Sequence, residues 1–211
     1  MIPNRLFLTV KIKHGITDVR INLSFAATVT CMLILDESGI CSVALFCCFV
    51  HEAAHILCLL ACGEKPALVE LSFYGIKLER MPVHSKRYDI LVYAAGPAAN
   101  LVLFAVLNAS SSGNKPVADA AIVSLVTGAF NMLPCRPLDG GNILFECLCR
   151  FMSEERVEKI CGGATWIILA PMSVAGFFAA LEYGNVSLGA AAVYLAAVSF
   201  FDKREKGTVK L

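Results

Sequence analysis

The chain has 211 residues, enough for one domain with a substantial core, and its 57% apolar and 17% charged composition lies far from that of soluble globular proteins. Its net charge of +1 is unremarkable in sum, and no basic stripe interleaved with aromatics points to nucleic acid as a partner. An ordinary soluble domain is excluded, and an all-α polytopic membrane protein in contact with the lipid bilayer is the expectation.

Residues 1–20, "MIPNRLFLTVKIKHGITDVR", alternate apolar and basic residues in strand fashion and lack the apolar core and small-residue cleavage site of a removable signal. They read as an amino-terminal arm. The charge-poor runs Ile21–Leu35, Cys41–Cys62, Ile90–Asn108, Ala118–Leu133, Thr165–Leu181 and Val186–Phe201 each approach the roughly 20 helical residues that cross a bilayer, the first being the shortest. About six transmembrane helices over residues 21–201 follow, with a short tail at 202–211. Seventeen of the eighteen Lys and Arg residues fall on the arm, in Gly63–Asp89, in Leu133–Gly163 or on the tail, and only Lys115 falls in the alternate loops. This alternation predicts that both termini are cytosolic. The ten cysteines have no framework spacing and mostly fall in apolar stretches, so they read as small buried hydrophobes.

Inside the second run, "HEAAH" places His51 and His55 one turn apart on one helix face, with Glu52 beside them. Two neutral imidazoles so spaced can share a tetrahedral metal, leave room for a water of lowered pKa, and let the adjacent carboxylate act as general base. A chance match or a polar cluster joining helices is the bland alternative. Ionisable groups near a bilayer centre cost a few kcal/mol each, however, and persist mainly where they are paired or functional. The third ligand has to come from elsewhere. His14 and His84 lie in charged cytosolic stretches and read as solvated. Asp139 stands out in "NMLPCRPLDGGNILFE", where Pro134, Pro137, Gly140 and Gly141 predict a broken helix over Pro134–Gly141. On local sequence alone, its ordinary role is the N-cap of the helix that follows.

Between the second and third long runs, "ALVELSFYGIKLERMPV" alternates apolar and polar residues on either side of Gly75, which predicts an interfacial β-hairpin over about residues 67–80. Its edge could pair with an extended peptide. "AAGPAAN" at residues 94–100 reads by itself as a kink or a small-residue helix contact, with Asn100 bonding across helices.

"HEAAH", "GPAAN" and "NMLPCRPLDGG" in this order resemble the site-2 protease family of intramembrane zinc metalloproteases, over roughly residues 20–200. The small size and the hairpin after the metal-binding helix are most similar to the stage IV sporulation protein FB branch, whose members cut a membrane-associated precursor of a sporulation sigma factor. The resemblance implies His51, His55 and Asp139 as ligands of one Zn2+ per chain, Glu52 as the base that activates water, and Asn131 and Pro137 on the substrate-binding side. Gly96, Pro97 and Asn100 would support helix packing near the metal. The chain departs from that branch in having only ten residues after Phe201, where the branch carries a nucleotide-sensing CBS domain. The expected activity is hydrolysis of a peptide bond in or near the membrane segment of a tethered protein, at a site leaning toward the cytosol, with a membrane inhibitor or regulator allowed for as a further partner. The rival reading is a metal-ion transporter, which predicts polar sites at several depths rather than one motif and one Pro-Gly break.

Overall fold

The computed structural model describes residues 9–14, 17–34, 36–64, 66–72, 75–80, 88–184 and 186–208. The chain divides into two compact units, Met1–Ala129 and Phe130–Leu211.

In the first unit, β1 (Thr9–His14) pairs antiparallel with β2 (Thr17–Asn22), and the chain runs directly into α1 (Leu23–Ile34). A tight connection leads to α2 (Ile40–Ala61), after which β3 (Pro66–Ser72) returns to lie parallel to β2. Parallel neighbours need a crossover, and the helical pair α1–α2 supplies it. β4 (Gly75–Arg80) then pairs antiparallel with β3, giving a four-stranded sheet in the order β1-β2-β3-β4. Arg20 stands opposite both Lys11 and Glu70, and Asn22 Nδ2 donates to Glu70 Oε1 at 3.1 Å. The expected all-α architecture with a lone hairpin therefore needs correction: the two strands at 66–80 are half of a sheet, and the arm supplies the other half. The first apolar run also loses Ile21 and Asn22 to β2.

α2 begins beside Asp36, whose Oδ2 accepts the Ser42 backbone N–H at 2.8 Å and the Ser42 hydroxyl at 2.9 Å. Ser38 Oγ donates to Oδ1 of the same carboxylate at 3.3 Å. These bonds supply an acceptor to the first turn of the helix, where backbone N–H groups lack partners. Along α2 the buried residues are Cys47, His51, His55 and Leu59, a stripe with a four-residue repeat. α3 (Asp89–Ser110) and α4 (Lys115–Asn131) complete the unit, whose boundary falls inside α4.

In the second unit the end of α4 gives way to a break over 132–138, followed by α5 (Asp139–Leu148). Pro134 and Pro137 remove two main-chain donors there. Two of the remaining ones are used in tight turns, Cys135 N–H donating to Leu133 O at 2.7 Å and Leu138 N–H to Cys135 O at 2.8 Å. Arg136 N–H donates to Thr165 Oγ1 at 3.2 Å on α6 (Glu154–Tyr183). Cys135 and Leu138 are buried against Leu169 of α6 and Leu195 of α7 (Ser187–Thr208). The Arg136 guanidinium lies 3.9 Å over the Phe145 ring and donates to Asn142 Oδ1, tying the break to α5.

The surface is turned inside out relative to a soluble protein. Phe46, Phe49 and Leu57 on α2, Leu91 and Val102 on α3, and Trp166, Ile167 and Phe177 on α6 are exposed, whereas His51, His55, Asn100, Ser124 and Thr165 are buried. Such a distribution suits hydrocarbon surroundings. Among the described residues, α2, α3 and α6 have the length and composition to cross a membrane. The chain is therefore an integral membrane protein of mostly helical build. The other expected spans are shorter: α1 has 12 residues, α4 has 17 and the apolar part of α7 is Leu188–Ser199. At 1.5 Å per residue α1 reaches only about 18 Å, against a hydrocarbon core of about 30 Å. All ten cysteines are free, and only Cys47, Cys135 and Cys161 are buried, so the buried-hydrophobe reading holds for those three.

Candidate metal centre

His51 and His55 occupy successive turns of the buried stripe of α2, 4% and 8% exposed. Their rings meet edge to face with centroids 4.7 Å apart, and the two Nε2 atoms approach to 3.1 Å. His55 Nδ1 lies 2.7 Å from the Val92 carbonyl oxygen on α3. A carbonyl only accepts, so Nδ1 carries the proton and, in the neutral ring, Nε2 presents its lone pair to His51. Such an outer hydrogen bond is what fixes the tautomer and orientation of a metal-binding imidazole.

α3 also shapes the space in front of the two rings. Gly96 lies so close that a Cβ there would collide with His55 Nε2 and come within 2.7 Å of His51 Nε2. Four residues on, the fully buried Asn100 places Nδ2 3.4 Å from His51 Nδ1. α4 holds α3 in place at the same spacing. Ser124 Oγ donates to the Asn100 carbonyl at 2.9 Å, and a Cβ on Gly128 would be 3.1 Å from Asn100 Cβ. Thus His51 and His55, Gly96 and Asn100, and Ser124 and Gly128 form three layers, each with a four-residue repeat. The structure brings the first two pairs together around one small polar space.

Glu52 follows His51 on α2, about 100° further round the helix, and is half-buried. In the second unit Asn131 is the last residue of α4, Pro137 lies in the break, and Asp139 is the first residue of α5; all three are half-buried. Asp139 is not the cap expected from local sequence. Leu138 holds that position with extended backbone, and the Asp139 carboxylate lies in the first turn, where the helix dipole favours negative charge. A Cβ on Gly140 or Gly141 would run into the backbone of Met132 or Cys135, so α5 can start against the break only with glycine at both positions. His14 ends β1, and His84 lies outside the described residues.

Comparison with known proteins bears on what this arrangement is for. A family model, Peptidase family M50, matches residues 108–172, which cover the end of α3, all of α4, the break, α5 and the first part of α6. The chain is 27% identical over 133 residues to a presumptive zinc metalloprotease of Synechocystis sp., covering 57% of this chain and 35% of that protein. It therefore spans about a third of the length of that curated relative. Against the solved structure of the site-2 protease from Methanocaldococcus jannaschii, the chain superposes with a TM-score of 0.66 at 17% identity, over 91% of this chain and 94% of that one. The fold is that of a site-2 protease. The family model and the relative both point toward zinc metallopeptidases, over part of the chain, while the superposition bears on the fold alone.

These contacts give "GPAAN" a sharper meaning than helix packing. Val92, Gly96 and Asn100 are the α3 face that meets the two histidines, the first through its main-chain carbonyl. The signal available in sequence was the four-residue spacing of Gly96 and Asn100, equal to that of His51 and His55.

Proposed function

We propose that the protein is an intramembrane zinc endopeptidase that hydrolyses a peptide bond in or near the membrane segment of a tethered precursor and releases a cytosolic product. The observation that carries this reading is the 2.7 Å approach of buried His55 Nδ1 to the Val92 carbonyl oxygen, which leaves Nε2 turned toward His51 Nε2 with Gly96 against both rings. His51, His55 and Asp139 are the donor set that the resemblance implies, two imidazole nitrogens and one carboxylate oxygen, which suits one zinc per chain. When bound, zinc supplies Lewis acidity, acidifying water and polarising the scissile carbonyl.

Glu52 takes a proton from the attacking water onto its carboxylate and passes it to the amide nitrogen as the C–N bond breaks, leaving one new carboxylate and one new amine. Asn131 holds substrate backbone or the developing negative charge, and Pro137 shapes the same side of the site. A helical substrate must unwind before its carbonyls can be attacked, and the freed backbone groups then need partners. Among the described strands β4 has a single neighbour, β3, so its other edge is suited to take an extended peptide. Six spans, both termini in the cytosol, a cytosol-leaning site and a membrane regulator complete the proposal. Substrate choice rests on the membrane core, the hairpin and the termini, and a sporulation sigma-factor precursor is the substrate suggested by the stage IV sporulation protein FB branch.

The test is co-expression with a membrane-tethered precursor of that kind, comparing the wild type with Glu52→Gln. The expected result is cleavage by the wild type only. Equal cleavage by both sinks the mechanism, and metal uptake dependent on His51 and Asp139 would replace it with transport.

A further inference from the structure

The side-chain amide of Asn100 faces the Nδ1 atom of His51 at 3.4 Å. For His51 to offer Nε2 to a cation, its ring proton must reside on Nδ1, and the group facing Nδ1 must accept it. An amide can do so through its oxygen, because oxygen and nitrogen exchange places when the group turns over about its last bond. Nothing at the far end of the Asn100 amide opposes that turn. With Nδ2 toward His51, Oδ1 is buried without a hydrogen-bond partner among the described residues, so the far end does not anchor the amide. The residue itself is held from behind through its main chain, its carbonyl accepting from Ser124 Oγ at 2.9 Å.

We infer that Asn100 is a positioning residue for His51: with its amide oxygen toward Nδ1–H, it selects the tautomer in which His51 Nε2 is a ligand. It does for His51 what the Val92 carbonyl does for His55. The two differ in kind, since a main-chain carbonyl always accepts whereas the amide can present either end. His55 is therefore set by the fold alone, and His51 by a side chain that can be substituted. This inference rests on the zinc reading proposed above and adds a residue to it.

The experiment uses the full chain purified in detergent, with zinc affinity read by competition against a chromogenic chelator. Asn100→Leu is close in size and accepts nothing, and Asn100→Asp is close in size and can only accept. The expected order is Asp within about threefold of the wild type, with Leu weaker by about ten- to a hundredfold, the usual loss when an outer partner of a metal-bound histidine is removed. A packing role predicts the opposite order, because a buried apolar side chain is tolerated better than a buried carboxylate. An Asn100→Asp chain that binds zinc no better than Asn100→Leu overturns the inference while leaving zinc binding by the wild type intact. A wild-type chain that takes no zinc overturns the endopeptidase reading and this inference with it. Comparison of Asp with wild type remains decisive even if Asn100→Leu does not fold.

Discussion

Gly96 of α3 and His55 of α2 approach so closely that residue 96 cannot carry a side chain while the imidazole keeps its place. The clearance in front of the histidines is thus set by a backbone, the least adjustable wall available. Gly96→Ala is expected to displace one or both rings and lose zinc binding, with the chain still inserted and folded. Zinc per chain, measured beside a thermal melt in detergent, separates the two effects. Gly163→Ala is the control. It lies in α6 with open space around it, and removing a helix glycine there should stabilise by up to about 1 kcal/mol.

Gly141→Ala attacks the other half of the proposed site. The added methyl would meet the Cys135 backbone at the break, which is itself fixed in the core by Cys135 and Leu138. Overpacking typically costs about 1–3 kcal/mol, and a backbone neighbour leaves little room for relief. Loss of both cleavage and several degrees of melting temperature is expected. An unchanged melt would show that the break yields more easily than its packing implies.

Thr165→Val tests how the break is held from α6. The Arg136 N–H donates to Thr165 Oγ1, and that hydroxyl donates in turn to the Cys161 carbonyl at 2.9 Å. Valine keeps the volume and removes the acceptor, leaving a main-chain donor without it at a cost of about 1–3 kcal/mol. Denaturation of the purified chain should register the loss, and Thr165→Ser should restore most of it.

Asp36 gives a pH dependence outside the membrane-spanning helices. The Ser42 backbone N–H is the main cause of a carboxyl pKa held below its ordinary 3.8; burial opposes it, and the Ser42 hydroxyl, the Cys41 backbone N–H and the Ser38 hydroxyl add to the lowering. The folded-state pKa is depressed, so the contribution is complete above the unfolded value and disappears as pH falls through the folded one. Between pH 7 and pH 2.5 the wild type should therefore lose more melting temperature than Asp36→Asn. Parallel loss in both chains would remove Asp36 from the acid response.

What could be read from sequence was whatever is local. "HEAAH" announces its pair because a helix puts positions four apart on one face, and the break announces itself because proline and glycine act where they stand. The arm's alternation was equally plain, but its partner was not: β2 pairs with β3 only after two helices, and Asn22 meets Glu70 48 residues along the chain. The outer partners of the histidines were hidden for a related reason. Nothing in the letters around Val92 says that its carbonyl faces His55; that depends on how α3 lies on α2. The six expected spans were read by hydropathy alone, which is blind to a strand taking the first residues of an apolar run, as β2 does before α1.

The parallel pairing of β2 with β3 also constrains biosynthesis. A ribosome delivers β1 and β2 first, yet β3 cannot reach them until α1 and α2 have both emerged and turned back on one another. Closing the sheet across that connection is the slow kind of contact, because the intervening chain must be ordered before the ladder is rewarded. The sheet therefore records that the helix carrying His51 and His55 has folded back, and a chain whose α1–α2 connection fails to form leaves β3 without its parallel neighbour β2.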